Sequence, residues 1–283
     1  MDSRPNEPQE AEAPPVEMQT VECWRCGKQI DRTLARCPFC AARPRSLTRP
    51  IRPKVTPTAE GRATVRLIVM FTIFLFISVI HGVVIQAALS PDEVGRANDE
   101  GMLYAALFLE AVDTVLVIIA LAWISIPRRA ERPSLERRAT TWLMSLPVLT
   151  VVFLINYWYH WYLREALDLE LLESPLAGQT DLLPLWIAVI CLQPAVIEEL
   201  FFRYLGLGVL RNVMGVHGAV LVSSLMFGLA HIYVPLSIPV MILLGIVFGY
   251  ARLASGSLVL PMMMHGLHNA AVMAAEWYSV HAV

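Results

Sequence analysis

Three stretches of this chain place ionisable or hydrogen-bonding groups in the middle of apolar sequence. VIEELFFR carries Glu198, Glu199 and Arg203, FGLAH ends in His231, and HGLHN carries His265, His268 and Asn269. A charged side chain at the centre of a bilayer costs on the order of 3 kcal/mol on insertion scales, so such groups are kept for pairing, transport or chemistry. On a helix, Glu199 and Arg203 stand at i and i+4 with the glutamate first, the order that favours an ion pair. Glu198 then points about 100° away and is left out of that pair. His265 and Asn269 are also i and i+4, so they project together. A carboxylate, an imidazole and a His/Asn pair converging from three helices would supply a general base, a proton partner and donors for an oxyanion. Two histidines and a glutamate equally suit zinc. The plainer alternative is a polar network that only holds helices together, with Glu199–Arg203 as a structural pair and each histidine a satisfied core residue.

These groups need elements to carry them, and the composition says which. Of the 283 residues, 56% are hydrophobic and 16% charged, against about 25% charged in soluble domains. No Asp, Glu, Lys or Arg occurs in 67–91, 139–163, 212–251 or 253–275. With ~20 apolar residues needed per crossing, the third of these runs holds two spans. The reading is an all-α polytopic membrane protein of about seven transmembrane helices: 67–89, 102–126, 140–163, 183–206, 217–234, 237–254 and 258–279. Segment 67–163 supplies three N-terminal helices, and 183–275 the helices that carry the polar clusters. The net charge of −2 gives no reason to expect a nucleic acid partner. The partners implied are the lipid bilayer and whatever reaches its core.

Orientation follows from Lys and Arg near the span ends. Arg49, Arg52, Lys54, Arg62 and Arg66 precede the first span, and Arg128, Arg129, Arg132, Arg137 and Arg138 fill the loop after the second. Arg211 follows the fourth span and Arg252 ends the sixth. Segments 92–100 and 164–181 hold one arginine each. This alternation places the N-terminus in the cytoplasm and the C-terminus outside. NYWYHWY, residues 156–162, then falls where an outer aromatic belt belongs.

Residues 1–22 are acidic, Pro-rich and lack the apolar core of a signal peptide, and read as a disordered tail. Residues 23–40 follow as C-x2-C, ten residues, then C-x2-C: Cys23, Cys26, Cys37 and Cys40. Two knuckles so spaced can aim four thiolates at one structural zinc, whose binding supplies the folding energy of a module this small. Two disulfides are the alternative, and they need an oxidising compartment. Residues 41–66 form a basic, Pro-rich linker suited to lie near anionic headgroups or simply in water.

Two features stand outside these clusters. Glu110 and Asp113 share one face of the second span, lining a cavity or lying near the outer headgroups. Cys191, seven residues before Glu198, falls on nearly the same helical face and reads as packing.

The ordered triplet EELFFR, FGLAH and HGLHN, as E-E-x-x-x-R, F-x-x-x-H and H-x-x-x-N, resembles the CPBP family of intramembrane proteases. That family includes CAAX prenyl endopeptidases and bacteriocin-processing or self-immunity proteins. The resemblance covers 183–275 and implies an intramembrane endopeptidase. Glu198 would be the general base on water, helped by His231. His265 and Asn269 would stabilise the oxyanion, and Glu199 and Arg203 would hold the site. Both a metal-dependent and a metal-free glutamate mechanism fit these residues. The rival class is a catalytically silent membrane scaffold or immunity protein whose zinc ribbon binds a protein partner.

Overall fold

The computed structural model describes residues 20–23, 26–31, 34, 36–39, 57–88, 99–126, 133–167 and 182–281. They belong to two units, residues 1–54 and 55–283. Among the described residues the second unit forms the helices α1 (Pro57–Ala88), α2 (Asp99–Trp123), α3 (Leu135–Leu167), α4 (Leu183–Trp186), α5 (Gln193–Glu198), α6 (Leu207–Ala230), α7 (Ile238–Ser255) and α8 (Val259–His281). Wider π-helical turns join α4 to α5 over Ile187–Leu192 and α5 to α6 over Glu199–Gly206, and a 3-10 turn, Pro235–Ser237, leads into α7. These helices turn bulky apolar groups outward. Phe76, Phe108 and Leu143 are each about two-thirds exposed or more, a surface that suits lipid and not water.

Among the described residues, five helical stretches are long and apolar enough to cross a membrane, with Leu183–Ala230 taken as one of them. The stretch Leu183–Ala230 is two helices that meet at Gly215, whose backbone, φ 78° and ψ −175°, is non-helical, a conformation that glycine adopts without a Cβ penalty, and the expected fourth and fifth spans lie on either side of it. α8 carries His265, His268 and Asn269 in the middle of its apolar sequence. α6 also stops at Ala230, short of the expected 234, and His231 caps it in a non-helical conformation. α1 begins inside the expected 41–66 linker, because Pro57 suits a first helical position and Glu60 the positive end of the dipole. Residues 41–56 lie outside the described residues.

Contacts sort the helix ends into two sets. At one end Arg66 donates to the Trp123 carbonyl at 2.8 Å, Gly208 packs on Ile126, His217 bonds the Tyr250 hydroxyl at 2.7 Å, and Gly256 packs on Pro133. At the other, Gly82 packs on Tyr233, Tyr159 donates to the Leu236 carbonyl and His160 bonds Ser237. Arg66, Arg137, Arg138, Arg211 and Arg252 therefore share one end. NYWYHWY divides by helical face. Tyr157, Trp158, Trp161 and Tyr162 are exposed as a belt requires, while Asn156, Tyr159 and His160 turn inward to hydrogen bonds.

The closest packing joins α6 and α7. A Cβ on Gly245 would lie 2.9 Å from the Ser224 Cα, and one on Gly249 would lie 3.1 Å from a Val220 methyl. Small residues four apart let two helices approach where no hydrophobic force drives them together. That approach seats Phe227 of α6 and Phe248 of α7 in one core with Phe74, Phe201 and Phe202.

In the first unit, β1 (Thr20–Glu22) pairs antiparallel with β2 (Gln29–Asp31), with Val21 opposite Ile30. The ribbon thus takes in three residues that the sequence places in the acidic tail. Gly27, at φ 73°, turns the chain so that its N–H and that of Cys23 close the knuckle on Cys23 and Lys28 carbonyls. Among the described residues of this unit, only Cys23, Ile30 and Cys37 are buried, with Val21 packed on them, a small core for a module to fold on. The sulfurs of Cys23, Cys26 and Cys37 gather within 4.8 Å, and those of Cys26 and Cys37 lie 3.7 Å apart. A disulfide needs about 2.05 Å, whereas sulfurs about 2.3 Å from one tetrahedral ion stand roughly 3.8 Å apart. The geometry fits a metal. Cys40 lies outside the described residues.

Two outcomes follow. Gly245→Val should force α6 and α7 apart, since backbone occupies the space, and overpacking costs about 1–3 kcal/mol. Its melting temperature in detergent should fall, whereas Gly61→Val, where nothing lies within 4 Å, should melt nearly as the unchanged protein does. Purified full-length protein should carry one metal ion per chain by elemental analysis, lost in Cys37→Ser. A Cys26–Cys37 disulfide in rapidly alkylated cells would refute the metal assignment.

Candidate active site

The helix that carries the paired glutamates is not a regular α-helix, and the reason starts at Pro194. In an α-helix the Ile190 carbonyl would accept from residue 194, which as proline has no N–H. The chain widens instead, and the Gln193 N–H donates five residues back to the Ala188 carbonyl. The Ile190 carbonyl is taken up from outside: Asn269 on α8 donates its Nδ2–H to it at 2.8 Å. A buried carbonyl must find such a partner. One amide thereby locks α8 to the glutamate-bearing helix. A second widened stretch begins at Glu199 itself, where the Leu207 N–H reaches the Phe202 carbonyl. Such π-helical turns gather at functional sites.

Glu198 and Glu199 are placed differently. Glu199 has no exposed surface, and its Oε1 lies 3.0 Å from Arg203 Nη1. The pair is off-angle for a full hydrogen bond, so the guanidinium draws further stabilisation from aromatic faces. It stands 4.2 Å from the Phe227 ring centroid and 5.3 Å from that of Phe248. Glu199 also accepts from His265 Nδ1–H at 3.2 Å, which turns the other ring nitrogen toward Glu198. His265 is held between Phe248, stacked at 5.3 Å, and the edge of Phe227.

Glu198 is the more accessible of the two. Its oxygens lie 3.8 Å from His265 Nε2 and 4.0 Å from His231 Nε2. His231 donates its Nδ1–H to the Phe227 carbonyl at 2.8 Å, so its Nε2 keeps a lone pair on the Glu198 side. Distances near 4 Å are too long for direct hydrogen bonds and close to the span of one bridging water. Glu198, His231 and His265, on three helical elements, thus come together, with Glu199 and Arg203 behind them. Asn269 is one turn beyond His265 and already spends one N–H on Ile190.

The structure adds residues that sequence reasoning missed. Asn156 on α3 contacts His268, Nδ2 to Nε2, at 3.1 Å, both side chains buried. An asparagine in an aromatic run was the available signal. Gln193, one residue before the proline, reaches α2, donating to the Glu110 carbonyl and the Thr114 hydroxyl. Across this link, Glu110 and Asp113 come within electrostatic reach of Glu198. Cys191 packs with Leu103, Trp186, Val189 and Met273.

Among the described residues, only Cys23, Cys26 and Cys37 bring three ligand atoms within 4.8 Å of one another. Glu198 lies within 4.0 Å of both imidazoles.

Residues 180–271 match the family model described as type II CAAX prenyl endopeptidase Rce1-like. Neither the curated proteins nor the solved structures give a match to the chain. The segment that carries Glu198, Glu199, Arg203, His231, His265 and Asn269 is therefore similar to the type II CAAX prenyl endopeptidase Rce1-like family.

Proposed function

We propose that this protein is an intramembrane endopeptidase in which Glu198 activates water. One observation carries the reading: the Glu198 carboxylate faces two imidazoles across gaps that fit a water, while its neighbour Glu199 is consumed by Arg203 and His265. Water held between Glu198 and His231 Nε2 attacks the scissile carbonyl and gives its proton to Glu198. His265, as an imidazolium whose Nδ1–H is held by Glu199, donates its Nε2–H to the developing oxyanion, and the second Nδ2–H of Asn269 adds another donor. Collapse of the tetrahedral intermediate returns the proton from Glu198 to the leaving amine. Asn269, a poor zinc ligand and a good oxyanion donor, favours this metal-free course. In the ribbon, thiol-only ligands about 3.7 Å apart suit zinc, with Cys40 as fourth ligand. The peptide substrate class follows the family similarity of 180–271. We place the arginine-rich helix ends in the cytoplasm on the charge rule.

Glu198→Gln should fold yet lose cleavage of a co-reconstituted substrate by about 100-fold or more, the range of general base catalysis. Glu199→Gln should instead lower yield and melting temperature, because stripping one partner from a buried pair costs on the order of 3–5 kcal/mol. Glu199→Gln with Arg203→Met should recover part of that stability. Protein with its ribbon cysteines replaced should keep cleaving in chelator, whereas loss restored by zinc would put a metal at Glu198. Unchanged proteolysis in Glu198→Gln would end the endopeptidase reading. Reporters fused to the two termini should read opposite sides of the membrane, and a shared side would remove one crossing.

A further inference from the structure

α3 and α7 are clasped at both ends and stand apart between them. At the end away from the arginines, Tyr159 donates to the Leu236 carbonyl and His160 bonds Ser237. At the arginine-rich end, Gly256 packs on Pro133. Between these contacts the two helices, with Met264 of α8, line a cavity of about 600 Å³, within the range of about 300–1,000 Å³ found for small-molecule sites. Small side chains make the room: Thr141 and Ser145 on α3, Ala251 and Ala254 on α7. The hydroxyls of Thr140, Thr141 and Ser145 donate to carbonyls of their own helix, so none of these donors is left to bridge the gap.

The lining is graded along its length. Ser134, Glu136 and Arg137 line it near the arginine-rich helix ends, and Val148, Ile246 and Val247 line it deeper in the bundle. Val148 stands eleven residues after Arg137, about 16 Å along the helix at 1.5 Å per residue. That is close to half of the ~30 Å hydrocarbon core. The cavity therefore runs from headgroup depth toward the middle of the bilayer, the extent of one leaflet. At its polar end an anion and a cation stand side by side. Glu136 and Arg137 are both exposed, and among the described residues neither side chain has a hydrogen-bond or ion-pair partner.

We propose that this cavity binds one phospholipid of the adjoining leaflet, phosphatidylethanolamine, with an acyl chain between α3 and α7 and the headgroup on Glu136 and Arg137. The guanidinium offers a phosphate its paired N–H donors. The carboxylate beside it accepts from a primary ammonium, which carries three N–H donors, whereas a trimethylated ammonium has none to give. A headgroup that is only anionic would leave Glu136 facing its negative charge. The acyl chain fills a space that neither helix closes, against walls of Met144, Val148, Ile246 and Val247. The site shares no residue with the proposed active site and stands apart from the endopeptidase reading.

The test follows the melting temperature of full-length protein in neutral detergent as phosphatidylethanolamine, phosphatidylcholine or phosphatidylglycerol of the same chains is added. Phosphatidylethanolamine should raise it by several degrees more than either of the others. Glu136→Gln should bring that response down to the phosphatidylcholine level, and Arg137→Gln should weaken the response to both. Arg138→Gln, which removes a neighbouring charge that is not part of the lining, should respond as the unchanged protein does. Ala254→Trp, which fills the cavity, should abolish the response. Should that variant fail to fold, native mass spectrometry of Arg137→Gln decides, since retained phosphatidylethanolamine should fall several-fold from the unchanged protein. Equal responses to the three lipids, a larger response to phosphatidylglycerol, or a phosphatidylethanolamine preference that survives both Glu136→Gln and Ala254→Trp would overturn the proposal. A dimer in detergent that disperses in Ala254→Trp, with no response to lipid, would overturn it in favour of a second copy of the chain.

Discussion

The buried charge of Arg203 is the constraint on which the helical core is organised. A guanidinium with almost no exposure is tolerated only with a compensating anion and polarisable surroundings. Glu199 supplies the anion at 3.0 Å, and Phe227 and Phe248 supply the aromatic faces. Those two rings also clamp His265, which bonds Glu199 in turn. One ion pair therefore fixes elements from three parts of the chain. Its consequence for chemistry is indirect: with Oε1 of Glu199 taken up by Arg203 and His265, the adjacent Glu198 is the more accessible carboxylate and faces the Nε2 atoms of His231 and His265.

That geometry depends on helices approaching more closely than side chains normally allow. Gly245 and Gly249 on α7 admit α6 almost to backbone contact, which sets Phe227 and Phe248 on either side of Arg203. A different device holds α8. Pro194 leaves a carbonyl without its helical donor, and Asn269 fills the gap. An asparagine one turn from His265 thus has a structural duty whatever else it does, because a buried orphan carbonyl costs as much as a lost hydrogen bond. The Asn156–His268 contact then joins α3 to the same helix. Polar groups, few in number, tie together helices whose outer faces are featureless and apolar.

The ribbon is governed by the opposite economy. Among the described residues it has a small apolar core, and its three gathered sulfurs could hold an ion whose binding would add folding energy. The bundle, rich in apolar surface, needs no such staple.

Much of this was legible in the sequence because it depends on local spacing. Runs without charge gave helices of membrane-crossing length, C-x2-C pairs gave the knuckle, and the i, i+4 spacing of Glu199 and Arg203 gave their ion pair. What involved the shape of a turn was not legible. The π-helical stretches on both sides of α5, the break at Gly215 and the end of α6 at His231 each arise from where backbone donors find acceptors, which no side-chain periodicity records. Partners distant in sequence were equally hidden: Asn156 with His268, Gln193 with α2, and Asn269 with Ile190 rather than with His265 alone. The sequence by itself determined which residues had to be charged or polar inside the membrane and that they would need compensation. Only the tertiary structure decided which partner compensates each, because that choice belongs to the crossing of helices at their glycines and to the one carbonyl that Pro194 leaves unpaired.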